Sequence, residues 1–264
     1  MSDLQEKYIK SFKRQRYKVM FFRIILFVVF IGTWEASTHF KLIDSFIFSS
    51  PSRIAITFIN MCKNGQIFYH IGITLTETLV SFSLVILIGI GMAILLWMFE
   101  TFSKIIEPYL VMLNSLPKSA LAPILIVWLG SNTKTIIVTA ISVAVFGTII
   151  SIYTCFNGVD TEKVKLIYTL GGNRKDILFK LILPSSLPMI ISIMKVNIGL
   201  SLVGVIIGEF LAAKAGLGYL IIYGSQVFKL DWVIMSIVIL CIIAIGLYGI
   251  INRIEKMYTK KISG

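Results

Sequence analysis

Few side chains in this sequence can do covalent chemistry, and none is spaced for it. The two histidines are His39 and His70, and the three cysteines, Cys62, Cys155 and Cys241, lie far apart without a CxxC pair. That pattern indicates neither a zinc site nor a disulfide framework. No Gly-x-x-x-x-Gly-Lys-Ser/Thr run occurs in the sequence, so it lacks the loop that cradles a nucleotide's phosphates. Without paired acids on a common face, a hydrolase or metal enzyme has nothing to work with. The residues that stand out are polar or ionisable ones set in apolar runs. Asn114, Ser115 and Lys118 sit near Pro117 and Pro123, and Lys195, Asn197 and Glu209 share a second run. An ionisable group at membrane depth marks a solute or ion path by default, and Lys118 and Lys195 would attract an anion. The structural alternative is a lysine that snorkels or pairs with Glu209 or Glu77.

The elements that must position these residues follow from composition. Of 264 residues, 57% are hydrophobic and 14% charged, with a mean hydropathy of +0.90. A soluble domain is about 25% charged, and a disordered chain is polar and poor in aromatics, so both are excluded. The net charge of +12 meets too little polar surface for nucleic-acid binding. Six stretches have the roughly 20 apolar residues that a spanning helix needs: 19–40, 74–98, 105–129, 135–156, 184–212 and 232–252. The third and fifth carry the polar residues named above, and such interruptions are tolerated only where protein or a water-filled cavity receives them. Lys and Arg concentrate in the N-terminal segment, at Lys104, in the loop between the fourth and fifth spans, and in the tail. That bias places both termini in the cytoplasm. The sequence therefore divides into an amphipathic cytoplasmic segment (1–18), an all-α six-helix membrane domain (19–252) and a cytoplasmic tail (253–264). Leu4, Tyr8 and Phe12 in the first segment, and Ile54, Phe58 and Met61 on the outer side, form stripes suited to a membrane interface. Small residues in the spans, among them Gly89, Gly91, Gly199, Gly204, Gly208, Gly246 and Gly249, read as close-packing faces.

The longest cytoplasmic loop, 160–183, carries the densest local signals. Asp160 or Thr161 can cap a helix with Val164, Ile167 and Tyr168 on one face. Gly171-Gly172 would stop it where positive φ is cheap. Asn173 and Asp176 then make a capping box ahead of a second stripe, Ile177, Leu178, Leu181 and Ile182. Pro184 and Pro188 should open the fifth span, where proline does least harm. A loop of this kind is shaped either to dock into another protein or to pack on the ends of its own spans.

The loop resembles the conserved cytoplasmic loop of ATP-binding-cassette importer permeases, whose pattern is Glu-Ala-Ala, three residues, Gly, nine residues, Ile, one residue, Leu-Pro. Gly171 takes the Gly position, Leu181 the Ile, and Leu183-Pro184 the Leu-Pro; the Glu-Ala-Ala slot reads Lys165-Leu166-Ile167. Ser50-Pro51-Ser52-Arg53, Ser115-Leu116-Pro117-Lys118, Ala120-Leu121-Ala122-Pro123, Trp128-Leu129-Gly130, Gly208-Glu209-Phe210 and Gly216-Leu217-Gly218-Tyr219-Leu220-Ile221 are similar to the nitrate, sulfonate and taurine branch of that family. The resemblance implies a type I importer permease fold, no catalysis on this chain, and a second permease copy. It also implies two ATPase subunits carrying ATP and Mg, and an extracytoplasmic solute-binding protein. Leu170, Gly171, Gly172, Arg174, Ile177, Leu181, Leu183 and Pro184 would then form the coupling element. Asn114, Ser115, Lys118, Lys195, Asn197 and Glu209 are candidates for the path of a small anionic or heterocyclic nutrient. An ion-coupled secondary transporter working alone is the competing class.

Overall fold

The computed structural model describes residues 3–262, apart from the side chains of residues 3–11, 13, 261 and 262. Among the described residues the chain is helical throughout, with no strand. Helix α1 (Asp3–His39) leads through α2 (Ser45–Phe48) and α3 (Pro51–Lys63) to α4 (Gln66–Met98), α5 (Glu100–Ser115) and α6 (Lys118–Leu129). Then come α7 (Thr133–Asn157), α8 (Thr161–Thr169), α9 (Arg174–Ile177), α10 (Leu183–Ala212), α11 (Leu217–Gln226) and α12 (Leu230–Ile262). Among the described residues five helices are long and apolar enough to cross a membrane; α5 and α6, bent by 97° at their junction, reach that length only together, as a broken span or a re-entrant loop. The sequence places a span at 105–129 with interruptions; the structure resolves them into a sharp corner at Leu116-Pro117. A proline removes a helical hydrogen bond and pushes the residue before it out of the α region, and Leu116 accordingly lies at φ −66°, ψ 142°.

Helix directions follow from side-chain contacts. A Cβ on Gly204 would meet Ala140, and one on Gly208 would meet Ile136, so α10 runs antiparallel to α7. Thr74 of α4 bonds Glu209 near the end of α10, and Phe82 packs against the cluster that holds Ile191 and Ile198, so α4 is antiparallel to α10 as well. One end of the bundle thus holds the starts of α4, α7 and α12 and the end of α10. Crosslinks fasten α1 and α3 there: Ser52 donates to Glu35 (2.8 Å), Ser49 donates to Asp231 (2.6 Å), and Arg53 pairs with Asp231 (3.0 Å). Helix α1 therefore starts, and α12 ends, on the opposite side.

The glycine stripe divides in two. At Gly89, Gly204 and Gly208 an added Cβ would come within 2.6–2.9 Å of Thr148, Ala140 and Ile136, all on α7, so close packing inside the bundle requires these positions. A Cβ added at Gly91, Gly199, Gly246 or Gly249 would meet nothing within 4 Å among the described residues, so these positions have room for a side chain. On α3, Met61 is buried and Ile54 packs against the same cluster, whereas Phe58 is 40% exposed. Helix α1 is continuous through residue 18, with Phe21, Phe22, Leu26, Phe27 and Phe30 exposed. The interfacial stripe expected on α1 lies outside the described side chains except for Phe12.

Candidate functional site

The loop between α7 and α10 is built from local capping. Asp160 accepts from Glu162 N (2.9 Å) and starts α8. The helix ends in paired bonds, Gly172 N to Ile167 O (2.9 Å) and Gly171 N to Tyr168 O (3.0 Å), which are the two bonds of a Schellman closure. Gly171 takes φ +80° with empty space where a Cβ would sit, so conformation alone demands glycine there. At Gly172 the constraint is space, because a Cβ would lie 2.5 Å from Ile167 Cγ2. The capping box of Asn173 and Asp176 forms as the sequence predicts. Arg174 donates to the Trp97 carbonyl (2.9 Å) and stacks over its ring at 5.3 Å, fixing the loop to the end of α4.

Both stripes pack on one cluster, with Tyr168 of the first left exposed. Ile177, Leu178 and Ile182 are buried in a cluster with Ala93, Ile152, Phe156 and Ile190, and Val164, Ile167 and Leu181 pack against it. Leu166, Tyr168 and Leu170 face outward; Leu170, at the tip, is 77% exposed. Helix α10 opens at Leu183 with Pro184 in its first turn, as the sequence predicts, and a π turn at Leu178–Ile182 joins it to α9, so that helix runs without a break from Arg174 to Ala212. Pro184 has no N–H for the Lys180 carbonyl. The wider turn lets Leu183 N reach Leu178 O, while the Ser185 hydroxyl donates to Leu181 O (2.7 Å) and Ile182 O (3.1 Å). Leu183 is half-buried, Pro184 exposed.

Of the candidate path residues, Asn114 and Lys118 are hydrogen-bonded to each other. Asn114, Ser115 and Lys118 sit at the α5–α6 corner. Lys118 Nζ donates to the Asn114 carbonyl and so caps the end of α5; a cation is favoured there by the helix dipole. Ser115 donates to Val111 O (2.9 Å), and Asn114 Oδ1 lies against Gly147 of α7. Lys195 pairs with Glu255 of α12 at 2.6 Å rather than with Glu209 or Glu77. Asn197 is buried with its Nδ2 unpartnered.

Glu209 is almost fully buried, and both its oxygens are engaged. Oε1 accepts from Thr74 (2.7 Å) and Oε2 from Gly218 N (2.5 Å), while Thr74 Oγ1 accepts from Leu217 N (2.8 Å) and His70 Nδ1 from Gly216 N (3.0 Å). A Cβ at Gly216 or Gly218 would collide with the Glu209 side chain. The Gly208-Glu209-Phe210 and Gly216-Leu217-Gly218 motifs are therefore one device, in which a side chain of α10 caps the first turn of α11. Thr74 and His70 complete it. Sequence reasoning missed both, since they stand 135 and 146 positions from their partners and no period links them.

Solved structures with this architecture define the class. The chain is similar to the inward-facing MetNI methionine ABC transporter, at 18% identity and a TM-score of 0.64 over 73% of this chain and 95% of that one. It is also similar to a bacterial ABC transporter involved in import of the acidic polysaccharide alginate, at 14% identity and a TM-score of 0.65 over 95% of this chain and 99% of that one. The fold is that of type I ABC importer permeases. The family follows from the sequence match: the model of the binding-protein-dependent transport system inner membrane component covers residues 85–263, and the chain belongs to that family. Relatives include the formylaminopyrimidine transport permease protein ThiX of Halalkalibacterium halodurans, 25% identical over 88% of this chain and 92% of that one. The putative aliphatic sulfonates transport permease protein SsuC of Bacillus subtilis is 24% identical over 90% of this chain and 86% of its own length. The chain is thus a multi-pass inner-membrane permease component of an ABC importer, and this displaces the stand-alone secondary transporter.

Proposed function

We propose that two copies of this permease form the path for a small anionic or heterocyclic nutrient, of the nitrate, sulfonate, taurine or vitamin-precursor class. The loop at 160–183 couples that path to two separate ATPase subunits, which carry ATP and Mg, and a solute-binding protein delivers the nutrient on the other side. Both termini are cytoplasmic in this reading, and Lys118 at the α5–α6 corner faces the passing anion. The relatives' names, a formylaminopyrimidine and aliphatic sulfonates among them, support the substrate class.

The observation that carries the proposal is the continuity of the loop with the fifth span. Leu170 stands exposed at a tip closed by two hydrogen bonds, and 39 residues of helix from Arg174 to Ala212 leave that tip unbroken. A partner that grips Leu166 and Leu170 would move α10 as a lever, with Ile177 and Leu178 transmitting the load to α7 through their shared cluster. Nucleotide must then favour one state by about 5.5 kcal/mol to take the assembly from 1:99 to 99:1. Co-reconstitution with the ATPase subunits and the binding protein tests the reading. Leu170→Cys should label only from the ATPase side and lose labelling when the ATPase binds. Labelling unaffected by the ATPase, or purification from native membranes without any ATPase subunit, would overturn it.

A further inference from the structure

Glu77 of α4 is 3% exposed, and its Oε2 accepts no hydrogen bond from the described residues. It lies three residues beyond Thr74, on the same helix face, and Thr74 bonds Glu209. The two glutamates meet across the contact between α4 and α10 and hydrogen-bond each other, carboxyl to carboxyl. Glu209 is 1% exposed, and no ion pair reaches either side chain among the described residues. An ionised carboxylate only accepts, so two of them cannot bond without a proton between them. We propose that Glu77 is held as the neutral acid and donates to the Glu209 carboxylate, which makes the cap on α11 a proton-dependent latch.

The donors around the pair place the proton. Both Glu209 oxygens already accept, from Thr74 and from Gly218 N, and each oxygen has a second lone pair. Glu77's other polar neighbour is the Thr133 hydroxyl at the start of α7, which can donate or accept. The proton that closes the pair therefore comes from Glu77. Its loss would set two like charges side by side away from water, an arrangement that a shared carboxylate site resists. The repulsion falls on Glu209, and through it on Gly218 N and the first turn of α11. Other titratable groups on the packed elements are engaged elsewhere. His70 Nδ1 accepts from Gly216 N, Tyr219 stacks between His70 and Tyr223, Lys229 lies over Trp232, and Asp231 holds Ser49 and Arg53. Lys134 on α7 and Lys214 between α10 and α11 are exposed. The latch is a property of the folded chain and does not depend on the permease reading.

Amide exchange across Leu217–Gln226 reads the latch in the purified permease, reconstituted in phosphatidylcholine nanodiscs, with rates referred to the intrinsic rate at each pH. The capped state holds one more proton than the loosened state, so capping is lost as pH rises. Beyond the midpoint, protection of these amides should fall about tenfold per pH unit. Glu77→Gln keeps a donor towards Glu209 with no proton to lose, so its protection should stay flat over the same range. The infrared carbonyl band of a protonated carboxyl should be stronger in wild type at neutral pH than in Glu77→Gln. Parallel exchange profiles in the two proteins would overturn the proposal, as would a carboxyl band of equal intensity in both. Protection that follows sodium concentration at fixed pH, with choline as the substitute ion, would overturn it too and put a bound cation in the proton's place. No transport is measured, so failure here leaves the permease reading untouched.

Discussion

At Gly171 the backbone occupies φ +80° while the space around it is empty, so a substitution there acts through conformation alone. A non-glycine residue in the left-handed region costs about 1–3 kcal/mol, and a β-branched one sits at the upper end. Gly171→Val should therefore distort the tip and suppress ATP-driven uptake in proteoliposomes, whereas Gly171→Asn should retain most of it, because asparagine tolerates that region. Equal uptake by wild type and the valine variant would show that the tip geometry is dispensable. The Lys195–Glu255 pair has side chains only 14% and 23% exposed. Removing one partner of such a pair leaves a poorly solvated charge, and for a fully buried pair the cost is about 3–5 kcal/mol. Lys195→Met should lower the thermal stability of the purified permease by somewhat less than that, and adding Glu255→Leu should recover most of the loss. An unrecovered double variant would mean that Lys195 is needed for something other than neutralising Glu255.

Among the elements, α7 and α10 are locked together by absent side chains. An added methyl at Gly204 would sit 2.6 Å from the Ala140 Cα, and overpacking of this kind costs about 1–3 kcal/mol. Gly204→Ala should lower the unfolding temperature, while Gly246→Ala, with open space around it, should be neutral within this chain. Thermal scans of the two variants check the contrast, and equal losses would refute the packing account. The same pair of glycines shows what sequence pattern can and cannot supply. Small-residue spacing marked both positions, but only partner geometry separates a packed glycine from an open one. Caps at Asp160 and Asn173, and the stop at Gly171, were legible because their signals are local. The π turn was not, since Pro184 reads alike as the opening of a helix or as a defect within one. Nor was the corner at Leu116-Pro117, where two prolines indicate interruption without giving an angle. The candidate path residues were found as polar interruptions in apolar runs, yet their partners, Glu255 for Lys195 and Thr74 for Glu209, lie on other helices.

Across the whole molecule, two elements reach both the loop and the Glu209 cap: α4, through Trp97 and Thr74, and the helix that runs into α10. The latter begins at the capped loop and finishes at Glu209, which holds the first turn of α11 against α4. A continuous helix of 39 residues rises about 1.5 Å per residue, which is enough to span the bilayer and still extend beyond it. Under the proposed coupling, a tilt imposed at the loop would be passed to α11 through the Glu209 cap. Each hydrogen bond of the cap contributes about 0.5–1.5 kcal/mol, and an orphaned buried donor costs about 1–3 kcal/mol. Glu209→Ala orphans Gly218 N and frees Thr74, so α11 should loosen while the loop at the other end stays intact. The expected signature is split: assembly with the ATPase subunits near wild type, amide exchange accelerated across Leu217–Gln226, and uptake strongly reduced. Glu209→Gln keeps one carbonyl oxygen for Gly218 N and should fall between the two. If exchange in α11 rises in Glu209→Ala and uptake does not fall, α11 is a passenger, and the lever ends inside the bundle.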